Sequence, residues 1–436
     1  MKKMFSEFSP ATAQQWKDQI CKDLKGADFK TLVWNNPNGF EVDPFYTSGD
    51  LREAREPLFD RTTWEIAEEI VVSDAKIANQ KALRALQGGA SSLHFILTKK
   101  PDFAVLLNEI SIQHIELCFV LRYHDKDFKD RFYSYLDDQG IPEEKMNGGI
   151  SFDGIANFVE TGRWYVSEET DLAWENSWIN GWIYQNAGAS QSFELACILA
   201  HAHEYLLRLE QKRKFKFSLS IGGDFFGEVA KLRALRKLWQ LVTRQYKGTE
   251  NIFIHACNSH LNQSHRDAYN NMLRTTTEGM SAVIGGCDSV TIQAYNKSFE
   301  GTNEFGERIA RNQQLIFREE SYLDKVSDIG AGSYYIEMLT DQIAQHAWEE
   351  FKTIESKGGF IACLRSNYIQ DRIRQQAETM ITEFRNEKLV LVGVNKFQNK
   401  SEQVKSRPMF KRITTGSEIM PLARISLSDY LVKENA

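Results

Sequence analysis

Between residues 218 and 321, short apolar runs alternate with longer segments in which hydrophobic residues return every three or four positions. Residues 218–221 read as a strand end, Gly222-Gly223 interrupts it, and Asp224 is placed to cap a helix. In that helix Phe225, Val229, Leu232, Leu235, Leu238, Trp239 and Val242 make one stripe, which predicts a face laid on a core. Lys231, Arg233, Arg236, Lys237 and Arg244 fall mostly off the stripe and read as its solvated side. A strand at 251–256, a helix over about 269–284 stopped by Gly285-Gly286, a strand at 288–293 and a helix around 307–320 follow. Strand, loop and helix in repetition predict a parallel sheet covered by helices.

The same rhythm starts near residue 64. Strands are predicted at 64–72, 92–97, 114–121 and about 148–153, with helices at 74–87, 102–110 and 126–139 between them. From 154 to 180 the pattern blurs, and Trp164, Trp174 and Trp178 are assigned to a longer loop or an edge. A strand-to-loop junction at 180–189 leads to a helix capped by Ser190 and carrying Leu195, Ile198, Leu199, Ala202 and Leu206. About eight βα units result, the number that closes a TIM (β/α)8 barrel. Residues 1–60 read as an N-terminal arm, with a helix from Ser9-Pro10 to Gly26 and an extended piece turning at 35–39, too small to bury its own aromatics. Residues 61–397 form the barrel region, ending in helices at 340–356 and 360–385 and a last strand at 389–394. Residues 398–436 are an extension over the surface.

Composition narrows the class. A 436-residue chain with 42% hydrophobic residues and only 8 prolines is a globular chain with ample core. Its net charge of −6 offers no attraction for nucleic acid or an anionic membrane, so neither partner is expected. The six cysteines are dispersed and read as reduced, buried groups. With no signal-like leader and no apolar run of about 18 residues, a cytoplasmic location is expected.

Candidate chemistry is sparse. His201 and His203, beside Glu204, are two apart on a helix and therefore point to different faces, which argues against a shared metal. His255, His260 and His265 flank a strand-to-loop junction, where barrel enzymes keep their chemistry. Gly222-Gly223, Gly285-Gly286 and Gly330-Ala-Gly332 match no phosphate-binding pattern and read as turns. Glu319-Glu320 at a helix end suggests a salt-bridged or buried role.

Several stretches carry more. Gly26-Ala-Asp-Phe-Lys-Thr-Leu with Pro44-Phe-Tyr-Thr, Asn186-Ala-Gly-Ala-Ser, Phe225-Phe-Gly-Glu-Val-Ala-Lys-Leu, Asp267-Ala-Tyr-Asn-Asn-Met-Leu-Arg, Arg308-Ile-Ala-Arg-Asn-Gln-Gln and Gly330-Ala-Gly-Ser-Tyr-Tyr-Ile-Glu occur in that order. Over roughly residues 20–397 the chain thereby resembles the substrate barrel of the methylmalonyl-CoA mutase family, whose catalytic members use adenosylcobalamin to rearrange acyl-CoA skeletons. The resemblance implies a TIM barrel. It also implies losses. Where catalytic chains carry Gly-Tyr-His, with the His against the cobalamin and the thioester, this sequence has Gly181-Trp182-Ile183, and an isoleucine side chain donates no hydrogen bond. The family's Arg-Gly-x-Tyr, Tyr-Ala-Gly-Phe and Val-Arg-Asn pieces and the cobalt-binding Asp-x-His-x-x-Gly have no match.

That pattern resembles the family's small (β) subunit, and what it implies is specific. No residue of this chain is expected to be catalytic, cofactor-binding or metal-binding. Adenosylcobalamin belongs to a partner large (α) subunit, without a cobalamin-binding Rossmann-like domain here, and self-association is the alternative assembly for the isolated chain. The competing expectations are an isobutyryl-CoA-mutase-type substrate barrel served by a separate cobalamin-binding chain, and an unrelated activity around His255 and Tyr184.

Overall fold

Eight parallel strands carry the alternation, and the chain is described here by a computed structural model over residues 9, 11–51, 57–174, 177–208, 214–244, 246, 251–399 and 416–431. The strands are β1 (Glu65–Val72), β2 (Ser92–Leu97), β3 (Glu116–Leu121), β4 (Asn147–Ser151), β5 (Trp178–Asn180), β6 (Phe215–Ile221), β7 (Ile252–Asn258) and β8 (Ser289–Thr291). Their neighbour order is β4-β3-β2-β1-β8-β7-β6-β5. The end strands meet through side chains: Asn180 of β5 donates its amide to Ser151 Oγ of β4 at 3.3 Å, and its backbone N–H to Asp153 at 2.8 Å. The sheet is thus a nearly closed TIM-type barrel, as the rhythm predicts.

Alternate residues of each strand face outward and pack under the helices, as Leu93, Phe95 and Leu97 of β2 and Leu117, Phe119 and Leu121 of β3 do. The helices begin where short polar side chains meet free backbone N–H groups. Asp74, Asp153, Ser190 and Asp224 accept hydrogen bonds from Ile77, Ala156, Phe193 and Gly227 respectively. The arm contains the helix Ala13–Asp23 and the antiparallel pair Trp34–Asn35 and Glu41–Val42. Asn38 at its turn seats it on the barrel body through Gln191 and the N–H of Ser192. The start of the arm, residues 1–8 and Pro10, lies outside the described residues, as do 52–56.

Some expectations need correcting. The segment 154–180 contains two helices, Gly154–Thr161 and Glu168–Ala173; Trp164 stacks on Phe158, Trp174 packs at a tilt against Phe152, and Trp178 belongs to β5. The helix at 102–110 shrinks to Phe103–Leu106. The helix expected at 340–356 begins at Tyr334, and that at 360–385 is two, Phe360–Arg365 and Tyr368–Arg385, separated where Asn367 adopts a left-handed φ of 61°. No strand forms at 389–394. Asn395 instead ties a loop, accepting from the Leu391 N–H and donating to the carbonyls of Phe384 and Leu389, so Leu391 and Val394 bury without a ladder.

The largest correction concerns the cations of helix Phe225–Thr243. Lys231 and Arg233 are fully buried, not solvated. This helix is covered by the barrel, by helix Gln191–Leu206 and by helix Tyr334–Ser356, and each cation meets carboxylates from those neighbours. Arg236 and Lys237 pair with Asp288 and Asp341 nearer the surface, and Arg244 is exposed.

Candidate functional site

The barrel interior is the natural place to look for chemistry, and period-two alternation decides what fills it. From β1 comes Glu69, from β2 Ser92 and His94, from β3 Glu116 and Cys118, from β5 Trp178, from β6 Lys216 and Ser218, from β7 Phe253 and His255, and from β8 Ser289 and Thr291. These groups close on one another across the axis. The His94 ring lies 5.5 Å from Trp178, edge to face, and 4.4 Å from His255. The Lys216 ammonium lies 5.1 Å from the Trp178 ring centroid and 4.6 Å from that of Phe253, favourable cation–π positions. The interior is therefore a packed polar layer.

Its charges are paired. Lys216 donates to Glu116 at 3.1 Å, Ser92 Oγ donates to the other Glu116 oxygen at 2.8 Å, and Lys297 donates to Glu69 at 2.7 Å. Burial alone would raise the Glu69 carboxyl, but the Lys297 charge holds it down to about 2. For His94, burial opposes protonation while Cys118 and Glu116 favour it, and the balance raises the imidazole to about 10. Burial and the His94 charge together push His255 down to about 3, so a neutral His255 bonds Ser289 Oγ through Nδ1 at 2.7 Å. Two neighbouring imidazoles are thus held in opposite protonation states.

The mouth at the C-terminal ends of the strands is also occupied by the chain itself. Ile183, in the short helix Trp182–Asn186 after β5, is buried in the main hydrophobic core. Asn186 is spent on structure: its oxygen accepts from the N–H of His260 and from Ser259, and its amide donates to Ser220 and the Trp182 carbonyl. Residues 416–431 cross this end as a strap. The Ile425 N–H bonds the Asn186 carbonyl and the Leu427 N–H the Leu261 carbonyl, both at 2.9 Å, and the Arg424 guanidinium lies 4.1 Å from the Trp182 ring centroid. The described part of the extension therefore runs over the barrel mouth; residues 400–415 and 432–436 lie outside the described residues.

Beside the mouth, Glu278 is buried without a salt-bridging cation among the described residues, and its carboxylate takes amide hydrogens from Asn258 at 2.7 Å and Asn262 at 2.5 Å. Burial raises its carboxyl to about 7 despite those bonds. Its folded-state value lies above the unfolded one, so ionisation erodes stability as pH rises between the two. Glu278→Gln should accordingly stabilise the chain by on the order of 2 kcal/mol near pH 8 and by little near pH 5, as measured by urea unfolding.

The histidine expectations divide. His201 bonds Asp153 through Nε2 at 3.0 Å and the Tyr184 hydroxyl through Nδ1 at 2.9 Å, whereas His203 faces Glu355 and Tyr246, so the two imidazoles do point apart. His255 sits inside the barrel with His94, Ser289 and Thr291, not at a junction shared with His260 and His265. Tyr184 is likewise committed to His201 and packs on Phe360. Gly286, at φ +83°, follows the helix it was expected to end, and Gly332, at φ +76°, turns the chain into helix Tyr334–Ser356. Glu319-Glu320 is exposed, with Glu319 paired to Arg318, and has no buried role. Sequence reasoning missed His94, Glu116, Cys118 and Lys216. The signal was present, since they alternate with apolar residues along their strands.

Residues 96–419 match the family model described as methylmalonyl-CoA mutase. The chain is 35% identical to the methylmalonyl-CoA mutase small subunit of Porphyromonas gingivalis, over 92% of this chain and 72% of that one. It is 28% identical to the methylmalonyl-CoA mutase of Cereibacter sphaeroides, over 88% of this chain and 64% of the relative, and 28% identical to the methylmalonyl-CoA mutase small subunit of Streptomyces virginiae, over 84% and 67%. It thus spans about two thirds of the length of the relatives it matches.

Proposed function

The chain belongs to the methylmalonyl-CoA mutase family, and from that premise we propose that it acts as a non-catalytic small (β) subunit. Its partner is a large subunit that binds adenosylcobalamin and interconverts methylmalonyl-CoA and succinyl-CoA. The observation that carries this reading is the filled barrel axis, where His94, Trp178, Lys216, Phe253 and His255 occupy the space a substrate would thread.

The residues present do not fit the family's cofactor. At the position of the missing imidazole, Ile183 is turned into the core, and Trp182 is covered by Arg424 of the strap. An aliphatic side chain neither polarises a thioester carbonyl nor hydrogen-bonds a migrating group. Two relatives named as small subunits support the division of labour. The arm adds an exposed apolar surface, Trp16, Leu32 and Trp34, suited to a partner subunit. Among the described residues no helix is long and apolar enough to cross a membrane.

Co-expression with the large subunit of the same organism tests the role. The two chains are expected to co-purify as one complex and the large subunit to lose most of its turnover or its solubility when expressed alone. Failure to associate, with full turnover by the large subunit on its own, would reject the support role.

A further inference from the structure

Within the filled barrel interior, one cluster carries a chemistry that filling the axis does not require. His94, Glu116 and Cys118 are all buried, and a His94 ring nitrogen, a Glu116 carboxylate oxygen and Cys118 Sγ lie within 4.8 Å of one another. Topology puts them there. The parallel register sets Ser92 against Glu116 and His94 against Cys118, so alternate residues of two adjacent strands face the same side of the sheet. A second observation points to a ligand. His94 Nε2 is a buried nitrogen with no hydrogen-bond partner among the described residues, and it stands 3.8 Å from Glu116 Oε2, too far for a direct bond. A buried ring nitrogen left in this way is costly, and a cation between the two groups would satisfy both.

We propose that His94, Glu116 and Cys118 form a buried transition-metal site whose best-fitting ion is Zn2+. The donors are one imidazole nitrogen, one carboxylate oxygen and one thiolate sulfur, a set that suits a borderline-soft dication and not Mg2+ or Ca2+. With metal–ligand bonds of about 2.0–2.3 Å, a tetrahedral site needs its ligand atoms roughly 3.3–3.8 Å apart. The His94–Glu116 pair is at 3.8 Å already, and a small side-chain adjustment brings the sulfur in. Neighbours orient the carboxylate: Lys216 Nζ holds Oε1 at 3.1 Å and Ser92 Oγ donates to Oε2 at 2.8 Å. On binding, the Cys118 thiol and the imidazolium release their protons to solvent, so the two charges the ion brings replace two protons and the net charge of the cluster, Lys216 included, is unchanged. The ion would staple β2 to β3 inside the barrel. This assignment is independent of the support role.

The test uses the full chain, purified from zinc-supplemented medium and, separately, refolded without metal and titrated with Co2+. Expected are about one zinc per chain retained through gel filtration and, with cobalt, a thiolate-to-metal charge-transfer band with the strong visible absorption of tetrahedral Co2+. Cys118→Ser should abolish the charge-transfer band and weaken binding at least about tenfold, while Cys257→Ser, which removes another barrel cysteine, should leave both unchanged. A folded wild-type chain that binds cobalt without the band, binds no metal, or keeps the band in Cys118→Ser would overturn the assignment and leave a plain His94–Glu116 ion pair. If Cys118→Ser fails to fold, the wild-type cobalt spectrum and zinc content decide by themselves.

Discussion

Lys231→Met is expected to destabilise the chain by about 3–5 kcal/mol, because it strands two buried carboxylates. The ammonium lies 2.8 Å from Glu194 and 2.6 Å from Glu228, and donates to the Ser220 carbonyl at 2.6 Å, with all three side chains shut off from solvent. Burial already raises both carboxyls, Glu194 to about 7, even with the cation present. Removing the cation raises them further. Carboxyls raised above their unfolded values cost stability as pH increases, so the loss should be greatest above pH of about 7 and shrink toward about pH 5 as they take up protons. Urea unfolding at both pH values reads this directly. Adding Glu194→Gln and Glu228→Gln to Lys231→Met should recover much of the stability, since the penalty comes from unpaired charge and the three effects are not additive.

Arg233→Met should have an effect of similar size, again about 3–5 kcal/mol. Its guanidinium is completely buried, pairs with Asp328 and lies 2.6 Å from Glu337 Oε1. It joins four pieces of chain: helix Phe225–Thr243, the turn that holds Asp328, helix Tyr334–Ser356 through Glu337, and, through the Leu58 N–H that Asp328 accepts at 2.8 Å, the segment leading from the arm into β1. Hydrogen exchange at Leu58 should quicken in this variant along with the global loss. Arg233→Lys should fall between, because one ammonium lacks the planar fork that serves two carboxylates at once.

These two cations also mark where reading the sequence stops short. Periodicity identifies the apolar face of helix Phe225–Thr243, but it does not reveal that other elements cover the remaining faces. The partners of Lys231 and Arg233 include Glu194 and Glu337, from distant parts of the chain, and a lone sequence does not pair them. The outward faces of the strands were legible because Leu93, Phe95 and Leu97 alternate with Ser92, His94 and Ile96. What the inward residues meet depends on closure of the sheet, so the contact of His94 with both Trp178 and His255 was not. The strap is held by backbone hydrogen bonds at Glu418, Leu422, Ile425 and Leu427, which leave no side-chain pattern to read, and by Arg424 and Ser426, whose partners Glu160, Trp182 and Gln263 lie far away in the chain. Ile183 was legible as a loss only through the family resemblance; its burial in the core is what the structure adds.

A barrel whose substrate path is filled by its own side chains, as we propose, turns over no acyl-CoA by itself. The most direct measurement supplies the purified chain with adenosylcobalamin, a cobalamin-binding chain and methylmalonyl-CoA, and follows succinyl-CoA. No conversion above the protein-free blank is expected, whereas sustained turnover by this chain in the absence of any large subunit would mean that the path is open.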